Sequence, residues 1–129
     1  MITVPLPYRR PPLTLNVQLH HQAKARVVKQ VRRDSWTLAK SMKIKPMGAV
    51  IVELVWFKGD NRRADADNIA ATLKPLQDGL VDAGVLPDDS GDRVLSARMS
   101  VILKRDDPYP ERGPRMELRI TDCSALAPA

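Results

Sequence analysis

Ala49-Val50-Ile51-Val52-Glu53-Leu54-Val55-Trp56-Phe57-Lys58 is the stretch that decides the fold class. Nearly every residue is apolar, and most are β-branched or aromatic, side chains that suit a pleated sheet. A strand apolar on both faces has to be covered on both, so this one belongs in the middle of a sheet. Pro46 and Gly48 stop what precedes it, and the polar, basic run Gly59 to Arg63 ends it.

Upstream, about Gln22 to Met42 reads as a helix, with Val28, Val31, Leu38 and Met42 at three-, seven- and four-residue steps. Its remaining surface is heavily basic: Lys24, Arg26, Lys29, Arg32, Arg33 and Lys40. Before it, Ile2, Val4 and Leu6 alternate as in a short strand, which Pro5, Pro7, Pro11 and Pro12 confine to an edge. Downstream, Asp67 or Asn68 caps a second helix carrying Ile69, Leu73, Leu76 and Leu80 at helical spacing. Pro75 within it predicts a kink or a break into two short helices, and Gly84 ends it. Residues 93–105 and 115–121 alternate as strands, and the open connection 106–114 suits antiparallel neighbours. The order β-α-β-α-β-β predicts one α+β (mixed α/β) domain over residues 1–129. It has a small mixed sheet of about four strands, two main helices on one face and a tail frayed after about residue 122.

The 129 residues carry 21 Lys+Arg against 15 Asp+Glu, a net charge of +6 and a pI near 9.8. That balance favours an acidic partner, and nucleic acid over an anionic membrane, because no segment pairs a basic face with a bulky apolar one. One cysteine, Cys123, gives no intramolecular disulfide and no zinc-ligand spacing, so a reducing cytoplasm is the expected setting. The N-terminal stretch lacks the uninterrupted apolar run of a signal peptide, and no segment reaches the length of a membrane span.

Against this basic background stand Asp65-Ala66-Asp67-Asn68 and, some twenty residues on, Asp88-Asp89. Residues two apart in an extended segment project to the same side, and carboxylate oxygens are the ligands magnesium prefers. A metal-polarised water then attacks phosphorus without a protein nucleophile, and Lys74 supplies a fixed positive charge near the transferring phosphate. Each signal alone has a plainer reading. Asp-x-Asp-Asn before a helix is a capping sequence, Pro-Asp-Asp-Ser-Gly is a turn, and Lys74 with Asp78 is an i,i+4 surface pair. The positive end of a helix also disfavours a bound cation, although it favours a phosphate.

Taken together, Arg62-Arg63-Ala64-Asp65-Ala66-Asp67-Asn68, then Lys74-x-x-x-Asp78-x-Leu80, then Ala83-Gly84 and Asp88-Asp89, the pattern resembles the RusA family of Holliday-junction resolvases. The resemblance is dense over residues 62–94 and looser in the flanks. It implies a small homodimer that uses Mg2+, with Mn2+ as a substitute, to nick four-way DNA junctions symmetrically during recombination and repair. Carried over by position, the metal-binding acids are Asp65, Asp67 and Asp89, with Asp88 beside them. Lys74 matches the family's essential lysine, and Asp78 is a supporting residue. The Asn68–Lys74 gap is longer than the family pattern has, which points to an insertion or bulge near Ala70–Thr72. A phage or prophage origin is also what the resemblance implies.

Arg62 and Arg63, beside the acids, are the expected phosphate clamps, and Lys24, Arg26, Lys29, Arg32 and Arg33 the face that follows the DNA backbone. His20-His21 suits a loop or cap. Trp56 and Phe57 belong to the core, and Trp36 is either core or a dimer contact. The alternatives to a junction nuclease are a non-catalytic nucleic-acid-binding module and a metal-dependent nuclease for other branched substrates.

Overall fold

The computed structural model describes residues 1–15 and 20–128. The elements are β1 (Ile2–Pro5), α1 (His21–Ser41), β2 (Val50–Phe57), α2 (Ala70–Asp82), β3 (Val94–Ile102) and β4 (Arg115–Asp122). Short 3-10 turns lie at Ala66–Ile69, Lys104–Asp106, Pro110–Arg112 and Ser124–Leu126. The strands form one four-stranded mixed sheet in the order β1-β4-β2-β3. β2 is internal, antiparallel to β4 and parallel to β3, while the proline-flanked β1 is an edge. The chain is thus an α+β domain with a small mixed sheet and two helices.

β3 and β4 are not neighbours, contrary to the reading of the connection between them. β2, apolar on both faces, takes the place between the two. The parallel β2–β3 pair then requires a crossover, which α2 supplies. The stretch 103–114 returns past the end of β2, where a Cβ on Gly59 would lie 3.0 Å from the Pro114 ring.

Both helices cover the same sheet face. Val4 and Leu6, Val50, Val52 and Leu54, and Met116, Leu118 and Ile120 alternate onto it and meet Val31, Ala39, Leu73, Leu76 and Leu80. Each such side chain, fully buried, contributes about 1.5–3 kcal/mol. The buried stripe of α1 is Val31, Ser35 and Ala39, not the expected row ending in Met42, which is exposed. Small residues win because α2 comes so close: a Cβ on Gly79 would sit 2.3 Å from the Arg32 carbonyl oxygen and 2.5 Å from Ser35 Cβ. Ser35 also donates to the Leu76 carbonyl at 2.7 Å, which satisfies its buried hydroxyl.

Pro75 does not break α2. The helix runs unbroken from Ala70 to Asp82 with Pro75 buried inside it. A proline there forfeits a backbone bond and costs about 3 kcal/mol, which burial of Leu73, Leu76 and Leu80 offsets. Nor is there a bulge at Ala70–Thr72: these residues form the regular first turn of α2, directly after the 3-10 turn Ala66–Ile69. The tail is likewise held through Ala127. The Cys123 amide donates to the Ala49 carbonyl at 2.8 Å, and the Gly48 amide to Ser124 Oγ at 3.0 Å. Among the described residues no helix is long and apolar enough to cross a membrane.

Candidate functional site

The loop after β2 is pinned from several sides. The Lys58 ammonium, itself 5.2 Å from the centre of the Trp56 ring, donates to the Arg62 carbonyl at 2.8 Å. Asp60 Oδ1 accepts from the Arg62 amide at 2.9 Å, and Asn61 Oδ1 from the Arg105 amide at 2.8 Å. These contacts tie the loop to the exit of β3 and leave Arg62 and Arg63 exposed beside Asp65 and Asp67. Lys58, Asp60 and Asn61 were not among the expected residues, because their partners follow from tertiary structure rather than from local spacing.

Asp65 occupies the N-cap position of the Ala66–Ile69 turn in extended conformation (φ −77°, ψ 133°), yet its side chain makes no capping hydrogen bond. Asp67 lies in the first turn of the same element, and α2 begins after Ile69, which offers no side-chain cap either. The capping role open to both aspartates is therefore unused. Both are exposed, and among the described residues neither carboxylate has a side-chain hydrogen bond or ion pair.

Asp89 arrives from a different segment and, unlike Asp65 and Asp67, has an ion-pair partner. The chain turns at Gly84 (φ 80°), buries Val85 and Leu86, and brings Asp89 back alongside α2. There the Lys74 ammonium contacts Asp89 and bonds Asp78 at 3.0 Å. Lys74 thus reaches an acid of the expected set despite the long gap from Asn68. The hydrogen bond that Lys74 donates to Asp89, and then the one it donates to Asp78, raises the pKa of Lys74, and Lys74 lowers that of Asp89. Asp88 serves the turn, accepting from the Ser90 hydroxyl at 2.5 Å and the Ser90 amide at 2.9 Å, which lowers its pKa. Among the described residues no three His, Cys, Asp or Glu side chains form a metal-ligating group. The Asp89 carboxylate is engaged by Lys74, which also holds Asp78. The donor chemistry suits a hard divalent cation: two uncommitted carboxylates, with a third in an exposed ion pair.

Asp82 extends this face of α2 by one more turn and binds Arg32 of α1 through both oxygens, at 2.5 and 2.7 Å. Arg32 is therefore committed within the fold, and its hydrogen bond lowers the pKa of Asp82. Lys24, Arg26, Lys29 and Arg33 remain exposed on α1. Asp34, the main acid of that helix, turns to the other side, where it accepts from Tyr8 Oη at 2.5 Å and Gln30 Nε2 at 2.8 Å. It does not neutralise the basic face. An open groove of about 410 Å³ runs along that face, lined by His21, Lys24, Ala25, Val28, Lys29 and Arg32. His20 caps α1, its Nδ1 accepting from the Gln22 amide at 3.3 Å, so the pair contributes a cap as its position suggested. Trp36 is not core, being 42 % exposed.

No family model and no curated protein matches the chain.

Proposed function

We propose that the chain is a magnesium-dependent endodeoxyribonuclease for branched DNA, of the kind the RusA resemblance implies. Two copies related by a two-fold axis would cut opposing strands of a four-way junction. The observation that carries this reading is the state of Asp65 and Asp67, exposed and without partners among the described residues, next to the pinned and exposed Arg62-Arg63. Water alone satisfies exposed carboxylates such as these, and Glu111 is exposed in the same way. What sets Asp65 and Asp67 apart is that two of them, two residues apart, follow directly on a pinned Arg-Arg pair, an arrangement that suits a divalent cation beside a phosphate.

Asp65 and Asp67 would hold the ion, with Asp89 available to it by exchange with Lys74. When bound, Mg2+ (or Mn2+ in its place) supplies an activated water and stabilises the leaving 3′-oxygen. Arg62 and Arg63 hold the scissile phosphate through planar, multi-donor guanidinium groups. Lys74, protonated at neutral pH like any ordinary lysine, offsets charge developing on that phosphate. Lys24, Arg26, Lys29 and Arg33 follow the backbone of a DNA arm. The lone thiol of Cys123 suits a reducing cytoplasm, and recombination in a phage or prophage context is the setting the resemblance implies.

A second reading is a non-catalytic nucleic-acid-binding module, favoured by the engagement of Asp89 with Lys74 and by the absence, among the described residues, of a three-carboxylate group. Incubation of the protein with a synthetic four-way junction and magnesium separates the two. The nuclease reading expects paired symmetric nicks, arrested by EDTA and lost in Asp89→Asn. Binding that is steep in salt, indifferent to EDTA and unaccompanied by cleavage would support the module instead. Flaps and RNA–DNA hybrids in the same panel test other branched substrates.

A further inference from the structure

Trp36 is a large aromatic side chain, 42 % exposed, in the middle of a regular helix whose buried stripe lies elsewhere, at Val31, Ser35 and Ala39. Lys29, Arg33 and Lys40 stand seven and three residues before it and four after it, so helical geometry puts all four on one face. The three cations are exposed and have no ion-pair partner among the described residues. Tyr109, also exposed, differs in that Arg112 already covers its ring at 4.2 Å.

An indole flanked along one stripe by three uncommitted cations matches a single-stranded nucleic acid. The ring offers a π-face to a base, and the cations take the phosphates on either side. A second copy of the chain is a poor occupant. An isologous contact centred on Trp36 would bring the Lys29, Arg33 and Lys40 cations of one copy up to the equally basic stripe of the other. A membrane surface asks for a broad apolar face, and this stripe offers one ring. We infer that α1 carries a stacking site in which an unpaired base lies on Trp36 while Lys29, Arg33 and Lys40 hold the adjoining phosphates. The site shares with the proposed function the premise that α1 takes nucleic acid, but it does not depend on cleavage. At a branched substrate it would select for unstacked nucleotides, which a basic face alone does not distinguish from duplex.

The test is binding in EDTA, with no cleavage possible, of an oligothymidylate and of a blunt duplex of equal length to the full chain and its variants. Trp36→Ala is expected to weaken oligothymidylate binding roughly tenfold or more, the size of one lost base stack, and to leave duplex binding within about twofold. Trp36→Phe should recover most of the loss. The triple change Lys29→Gln, Arg33→Gln, Lys40→Gln should weaken both ligands and flatten the salt dependence. Equal losses on both ligands in Trp36→Ala, no loss on either, or no oligothymidylate binding by the parent would overturn the inference. So would a change of oligomeric state in Trp36→Ala by sedimentation, which would make Trp36 a contact between copies. Failure of junction cleavage alone leaves this measurement untouched, so the two readings fail separately.

Discussion

Asp107 and the pair Asp65/Asp67 are carboxylates in the same kind of place, next to 3-10 turns in connections that leave the sheet, and the protein uses them in opposite ways. Asp107 has a side chain only 2 % exposed, with its two oxygens bound to Arg115 at 2.8 and 2.9 Å. It also accepts from the Tyr109 amide at 2.9 Å. Arg115 in turn lies 4.0 Å over the Phe57 ring and lowers the pKa of its partner. Asp65 and Asp67 stand in water with none of these ties. Asp107 is a carboxylate committed to the fold, enclosed and bonded at both oxygens. Asp65 and Asp67 share their solvated state with Glu111, so it is their place after Arg62 and Arg63, and not exposure alone, that marks them as candidates for chemistry.

The comparison breaks most visibly in stability. Asp107→Ala strands a largely buried guanidinium and should lower unfolding free energy by about 3 kcal/mol, whereas Asp65→Asn should stay within about 0.5 kcal/mol of the parent in urea melts. A comparable loss in both would remove the distinction. Next in size, Gly79→Ala should cost about 1–3 kcal/mol, because its Cβ meets backbone and a buried Ser35 that cannot step aside. The same melts check it, and a neutral result would mean the two helices can separate more readily than their contact implies.

A smaller effect sharpens the intermediate case, the exposed Lys74–Asp89 pair. The lowered pKa of Asp89 means its contribution is present above the unfolded-state value and fades as pH falls through the native one. The raised pKa of Lys74 means its contribution is present below the unfolded-state value and fades as pH rises through the native one. Parent minus Asp89→Asn should therefore be flat between about pH 5 and about pH 9 and shrink outside that window, with a plateau of at most about 1 kcal/mol for a solvent-screened pair. Melts across pH measure it, and a slope through neutrality would assign the stabilisation to other groups.

Much of the fold is legible in the residues, because strand and helix periodicity are local signals. The stretch at 49–58 is central, the proline-rich N-terminus is an edge strand, and α1 and β4 begin and end within about a residue of their patterns. What the sequence conceals is set by contacts between distant segments. Nothing near residue 35 announces that Gly79 will press against it, so the large residues of α1 mislead about its buried stripe. Nothing between 103 and 114 shows that β2 will intervene. The same divide holds at the candidate site. The residue types are visible in the Asp65–Asn68 run and the helical Lys74, but the Arg32–Asp82 pair and the pinning of Arg62 by Lys58 are tertiary facts. Asp89 lies beside Lys74 only because the chain folds back after Gly84.

The central claim, that Asp65 and Asp67 are present for chemistry and not for folding, meets its most direct test in one variant measured two ways. Single-turnover cleavage of a four-way junction by Asp67→Asn in saturating magnesium should fall by more than the roughly 10–100-fold typical of losing an outer-shell partner. The thermal midpoint of the same preparation should match the parent. Cleavage at the parent rate, or a midpoint that falls together with the rate, would contradict the account.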